Sequence, residues 1–107
     1  MNTETMPSSD CPTIRVPGDL ISTNIEHLRG EANRLLGDAA GLPSFNFLKI
    51  DLTAAGMVDS AGLNLIVTIL KRLRARGAQL HIAYSNPNLL RTFIFTRLDQ
   101  HVKLLKV

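Results

Sequence analysis

Apolar residues recur along this chain with two periods, two residues and about 3.6, and the changes from one to the other mark its elements. Thr13-Ile14-Arg15-Val16 alternates as a half-buried strand does, and Pro17-Gly18 breaks it. Ile21, Ile25, Leu28, Ala32, Leu35 and Leu36 then fall on one helical face. Thr23, with Glu26 three residues on, is placed to open this first helix with a capping box, and Gly37 to stop it. Gly41-Leu42-Pro43-Ser44 reads as a loop, and Phe45 to Leu52 as a strand in which Leu48, Ile50 and Leu52 alternate with Lys49 and Asp51. Small residues from Thr53 to Asp59 make a second loop. From Ser60 the period returns to helical, with Leu65, Ile66, Ile69, Leu70 and Leu73 in the stripe and Gly77 beyond its end. Leu80, Ile82 and Tyr84 alternate in another strand. Asn86-Pro87 is a cap followed by proline at the first helical position, and Leu89, Leu90, Phe93 and Ile94 carry a third helix. Val102 to Val107 reads as a last strand.

Strands that alternate with helices in this way favour a single α/β domain with a largely parallel sheet and right-handed crossovers. The domain is expected over residues 13–107. Residues 1–12, rich in Ser, Thr and Pro, are expected to be a flexible tail. A chain of 107 residues that is 45% hydrophobic can bury one core. No apolar run reaches the roughly 18 residues that a membrane span requires, and the first twelve residues lack the basic-then-apolar order of a secretory signal, so a cytoplasmic protein is expected. The lone Cys11 can form neither an internal disulfide nor a cysteine metal cluster.

The net charge of +3 changes this picture less than it first suggests. Lys71, Arg72, Arg74 and Arg76 crowd the end of the second helix, where cations suit the negative end of the helix dipole. A nucleic-acid platform needs aromatic side chains among its basic ones, and this chain has no Trp and one Tyr. No nucleic-acid partner is expected.

The chemistry of interest sits where Asp51-Leu52 closes a strand and Val58-Asp59-Ser60-Ala61-Gly62 opens a helix. In open α/β sheets, ligands and partners meet the carboxyl ends of the strands. The first turn of a helix adds unpaired N–H groups and a positive dipole end, which suit a phosphate. Beside Asp59, a phosphate on Ser60 would change an exposed surface charge sharply. A plainer role accounts for the same residues, because Ser and Asp are both favoured helix N-caps.

The stretch Leu48-Lys49-Ile50-Asp51-Leu52 … Val58-Asp59-Ser60-Ala61-Gly62-Leu63 resembles the core motif of STAS domains: an apolar strand ending in Asp-Leu, a short loop, then Asp-Ser-Ser-Gly or Asp-Ser-Ala-Gly and Leu. The likeness continues through Arg76-Gly77, the strand Gln79 to Tyr84, Asn86-Pro87 and Leu98, and Gly18-Asp19-Leu20 looks like the family's Gly-Glu-Leu-Asp turn. It implies about four mostly parallel strands with helices mainly on one face. For the anti-sigma-factor-antagonist type it implies partner switching without catalysis. Such a protein binds a serine-kinase anti-sigma factor, is phosphorylated by it on the residue matching Ser60, and is restored by a serine phosphatase. The partner face would comprise Gly56, Met57, Asp59, Ser60, Ala61, Gly62, Leu63 and Asn64, with Asp59 shaping the loop and Gly62 letting a partner's backbone approach. Accessory subunits of lipid-transport ATPases and scaffold subunits of stress-signalling complexes resemble the same pattern. The chain departs from it at Ile21, where the family often has Asp, in the short stretch before Pro17, and in ending at Val107 without the usual last helix.

Other chemistry finds no support in the motifs. A nucleophile elbow needs glycine two residues before the serine, and Val58 stands there. His27, His81 and His101 form no nucleophile–base–orienter set with it. There is no Gly-x-Gly-x-x-Gly, no Walker loop and no ligand cluster for a metal, so no cofactor is expected.

Overall fold

The computed structural model describes residues 12–36 and 46–107. Four strands, β1 (Thr13–Arg15), β2 (Phe47–Leu52), β3 (Gln79–Tyr84) and β4 (Lys103–Lys106), form one sheet in the order β1-β2-β3-β4. Every pairing is parallel, with Ile14 opposite Ile50, Ile50 opposite Ile82 and Ile82 opposite Leu104. Three helices make the crossovers: α1 (Ile25–Leu36), α2 (Ser60–Ala75) and α3 (Pro87–Phe95). The expected α/β domain is therefore present, and its sheet is parallel throughout.

Alternation along the strands gives the sheet two unlike faces. Ile14, Leu48, Ile50, Leu52, Leu80, Ile82 and Tyr84 are buried together with Leu28 of α1, Ile66, Ile69 and Leu73 of α2, and Leu89 and Phe93 of α3, so the helices share one face and one core. The other face carries Arg15, Phe47, Lys49, Asp51, His81 and Lys103, all partly or fully exposed. There the rings of Phe47 and His81 stack with centroids 4.0 Å apart.

The helix ends show how closely pattern reading places boundaries. Asn86 caps α3, its Oδ1 accepting the N–H of Asn88 at 2.8 Å, with Pro87 at the first helical position. Gly77 follows α2 at φ 75, a conformation that costs a residue with a Cβ and costs glycine nothing extra. Its N–H reaches the Arg74 carbonyl at 3.0 Å, and that of Ala78 the Leu73 carbonyl at 2.9 Å, which satisfies the last carbonyls of the helix.

The capping box expected at Thr23 gives way to a later start. Residues 22–24 form a turn and α1 begins at Ile25. The Asn24 N–H meets the Ile21 carbonyl at 2.7 Å, while its side-chain amide donates to the carbonyl of Asp19 at 3.1 Å. The reason is tertiary: residues 19–22 are tied to the loop before α2, as described below, and the chain must turn before it can wind. The last strand is also shorter than expected. The Val102 N–H closes a turn onto the Leu98 carbonyl at 3.1 Å, so β4 starts one residue later. The expected stop at Gly37, the loop at 41–44, the strand start at Phe45 and nearly all of the expected N-terminal tail lie outside the described residues.

Candidate functional site

Ser60 is the first residue of α2, and it is exposed at the carboxyl end of the sheet. Asp59, not Ser60, is the N-cap. It holds an extended conformation (φ −90, ψ −176) and its Oδ1 accepts the N–H of Gly62 at 2.9 Å. The second oxygen, Oδ2, accepts the N–H of Ser22 at 2.9 Å. One carboxylate thus caps α2 and pins the 19–22 turn against it. The Gly62 N–H first and the Ser22 N–H second hold the Asp59 carboxyl below its usual range, because both donors favour the ionised form. With the capping done by Asp59, the Ser60 hydroxyl takes no hydrogen-bond partner among the described residues.

The loop beneath Ser60 is braced from both sides. Leu20 lies in an isolated parallel bridge opposite Val58. Its N–H donates to the Met57 carbonyl at 3.0 Å and its carbonyl accepts from the Asp59 N–H at 3.2 Å. Asp19 Oδ1 accepts the Gly56 N–H at 2.7 Å. At the end of β2, the Asp51 carboxylate takes both the N–H and the hydroxyl of Thr53, at 2.9 and 2.6 Å. The Thr53 hydroxyl is the chief cause that lowers the Asp51 pKa, against a partial burial that raises it. Carboxylates at 19, 51 and 59 therefore each close one part of the loop, a division of labour in which backbone N–H groups that the strand-to-helix turn leaves over find side-chain oxygen acceptors.

The structure brings the expected partner face together and divides it. Ser60 and Asn64 are exposed, and Met57 is 52% exposed, a large apolar side chain presented to solvent. Gly56, Asp59, Ala61 and Leu63 are half-buried. Gly62 is buried, and its expected role changes. A Cβ there would lie 2.4 Å from the carbonyl oxygen of Leu20, so its smallness admits the chain's own 19–22 turn rather than a partner's backbone. Val58 is buried as well, fixing the loop from below.

Sequence reasoning missed the second half of the site. Asp19 and Ser22 complete the brace, and Asn86 stands close to Gly56, where an added Cβ would meet the Asn86 side-chain nitrogen at 3.4 Å. The Gly18-Asp19-Leu20 turn was the available signal. Ile21, which departs from the family's polar residue, leaves the brace intact because the neighbouring backbone N–H of Ser22 supplies the contact to Asp59.

The three histidines are engaged elsewhere. His27 contacts the Arg15 carbonyl at 3.0 Å, His101 contacts Arg74 at 2.8 Å, and His81 stacks on Phe47. Among the described residues, no helix is long and apolar enough to cross a membrane.

No curated protein matches the sequence. A family model for the STAS domain matches residues 2–106, nearly the whole chain. With the parallel sheet, the braced loop and the serine at the head of α2, the chain belongs to the STAS-domain family.

Proposed function

We propose that this protein is an anti-sigma factor antagonist that works by partner switching in the cytoplasm, binding a serine-kinase anti-sigma factor through the head of α2 and released when Ser60 is phosphorylated. The observation that carries the reading is the split of roles between Asp59 and Ser60. Asp59 caps the helix, so the exposed Ser60 hydroxyl is not needed by the fold and can accept a phosphoryl group without dismantling its own support. The phosphate would add roughly −1.5 to −2 charges beside an ionised Asp59. That change falls on the surface a partner would read, next to exposed Met57 and Asn64. A serine phosphatase would reverse it. The protein itself catalyses nothing in this scheme and needs no cofactor.

The test is a pull-down from the native lysate with wild-type, Ser60→Ala and Ser60→Asp proteins as baits. The expected result is an ATP-dependent serine kinase recovered with the first two and lost with Ser60→Asp, and wild-type protein labelled on Ser60 by that kinase. A transporter ATPase recovered equally by all three baits would replace the switch with a stable accessory role. Large assemblies of the protein alone on sizing would favour a scaffold.

A further inference from the structure

Next to the proposed switch lies an apolar groove that the fold does not use. Leu63 of α2 forms one wall, and Arg91, Thr92, Ile94, Phe95 and Thr96 at the end of α3 form the rest. Its volume of about 720 Å³ has room for several side chains. Ile94 is 53% exposed and Phe95 is 89% exposed, although their neighbour Phe93 is wholly buried. The helical geometry of α3 explains the division. Leu89 and Phe93, four apart, face the core, and this rotates Ile94 and Phe95 outward. An almost fully exposed phenylalanine beside an exposed isoleucine costs solubility and contributes nothing to this core, which is the mark of an interaction surface.

Two further observations say what would cover it. Leu63 is three residues along α2 from Ser60, about 4.5 Å along the helix axis, so the groove and the switch serine share one surface. The groove is also basic at its edge. Arg91 lines it and the exposed Arg97 follows Thr96, and among the described residues neither is in an ion pair and no acidic side chain is in the lining. A second copy seated by this same face would add another Arg91 and no acidic side chain from the described lining, whereas an acidic partner would balance the charge.

We infer that the Leu63–Ile94–Phe95 groove receives an amphipathic helix of a protein partner, with large apolar side chains at helical spacing and acidic residues flanking them. The inference rests on the partner-switching reading and deepens it by giving the partner's chemistry and the sign of the switch. Apolar side chains in the groove supply the affinity, and acidic flanks meet Arg91 and Arg97. The same acidic flanks are repelled when phosphate joins Asp59 at the head of α2, so phosphorylation releases the partner.

The test is selection of a random 16-residue peptide library against the full-length protein, followed by fluorescence-polarisation titration of the best synthetic peptide. Enriched peptides are expected to carry two or three Leu, Ile or Phe residues at i, i+3/i+4 spacing among Asp or Glu. Phe95→Ser, a change at an exposed position, should weaken binding at least tenfold with an unchanged circular-dichroism melt, and Ser60→Asp should weaken it several-fold at low salt. Enrichment of basic or non-helical peptides, or indifference to Phe95→Ser, would overturn the inference. So would a dimer on sizing, or binding to phosphatidylglycerol vesicles, that Phe95→Ser abolishes, since the occupant would then be a second copy or a lipid surface. Loss of binding in Phe95→Ser with none in Ser60→Asp keeps the groove and removes the switch. The reverse keeps the switch and removes the groove.

Discussion

At the scale of single residues, the head of α2 is fixed by one carboxylate and one missing side chain. Gly62 is not there for backbone freedom, since the positive φ among the described glycines belongs to Gly77. It is there because the Leu20 carbonyl, the Leu20 side chain and Val58 crowd the position a Cβ would occupy, at 2.4, 3.0 and 3.0 Å. The nearest of these is backbone, itself held by the Asp59 N–H, and cannot swing aside. Gly62→Ala is therefore expected to cost about 1–3 kcal/mol through overpacking, read as a lower midpoint in urea denaturation at unchanged slope. Asp59 makes an ordered series. Its two oxygens accept two different N–H groups, and Asn has only one acceptor oxygen to offer. Thermal melts should fall in the order wild type, Asp59→Asn, Asp59→Ala, with Ser60→Ala beside wild type because Ser60 is not the cap. Since the folded pKa of Asp59 is lowered, its contribution is whole above the ordinary carboxylate range and is lost as pH falls through the lowered folded value. The gap between wild type and Asp59→Ala should accordingly close in acid.

Elements were legible in the sequence where local chemistry decides them, and illegible where tertiary contacts do. Asn86-Pro87 and Gly77 mark helix ends by conformational limits that no distant residue alters, and they are found as read. Thr23 looks like a cap by its own chemistry, but the Ser22 N–H is claimed by Asp59, 37 residues away, and a turn displaces the helix start to Ile25. Periodicity grouped Leu89, Leu90, Phe93 and Ile94 as one apolar run, yet it could not tell that Ile94 faces outward beside Phe95. In the same way the motif marked Ser60 and Asp59, while Asp19, Ser22 and Asn86 reach the site only through the fold. The open face of the sheet is an element-scale consequence of strand alternation, and it bears on stability. His81 is stacked on Phe47, partly withdrawn from water and near Lys103 and Lys49, and burial first, then the two lysines, lowers its pKa. Below about pH 6.5, the unperturbed histidine value, the unfolded chain takes up a proton that the folded chain still resists. The His81 share of folding stability should thus decline as pH drops from about 6.5 to the lower folded value, and level off below it. His81→Phe, which keeps a ring on Phe47, should flatten that part of a pH series of denaturation midpoints.

For the whole molecule, the arrangement of layers suits the proposed switch acting through surface charge rather than shape. All three helices of the described residues pack on one face of a parallel sheet through a single core that runs from Ile14 to Val102. Ser60 projects from that body at the carboxyl ends of the strands, and its hydroxyl has no hydrogen-bond partner among the described residues. Its phosphate would meet two opposed fields: the positive dipole end of α2, which favours it, and the Asp59 carboxylate, which already holds the Gly62 N–H and does not. Their opposition leaves a small net effect on folding and a large one on the charge a partner meets. Ser60→Asp should therefore unfold within a few degrees of wild type, since a surface change of this kind is usually worth no more than about 0.5 kcal/mol. Its amide NMR shifts should move at residues 56–64 and across the brace at 19–22 and 86, and stay in place at β4 and at the Arg74–His101 contact near the far end of α2. Shifts spread through β4 would instead mean that the charge selects a second arrangement of the domain, and the switch would then be conformational rather than electrostatic.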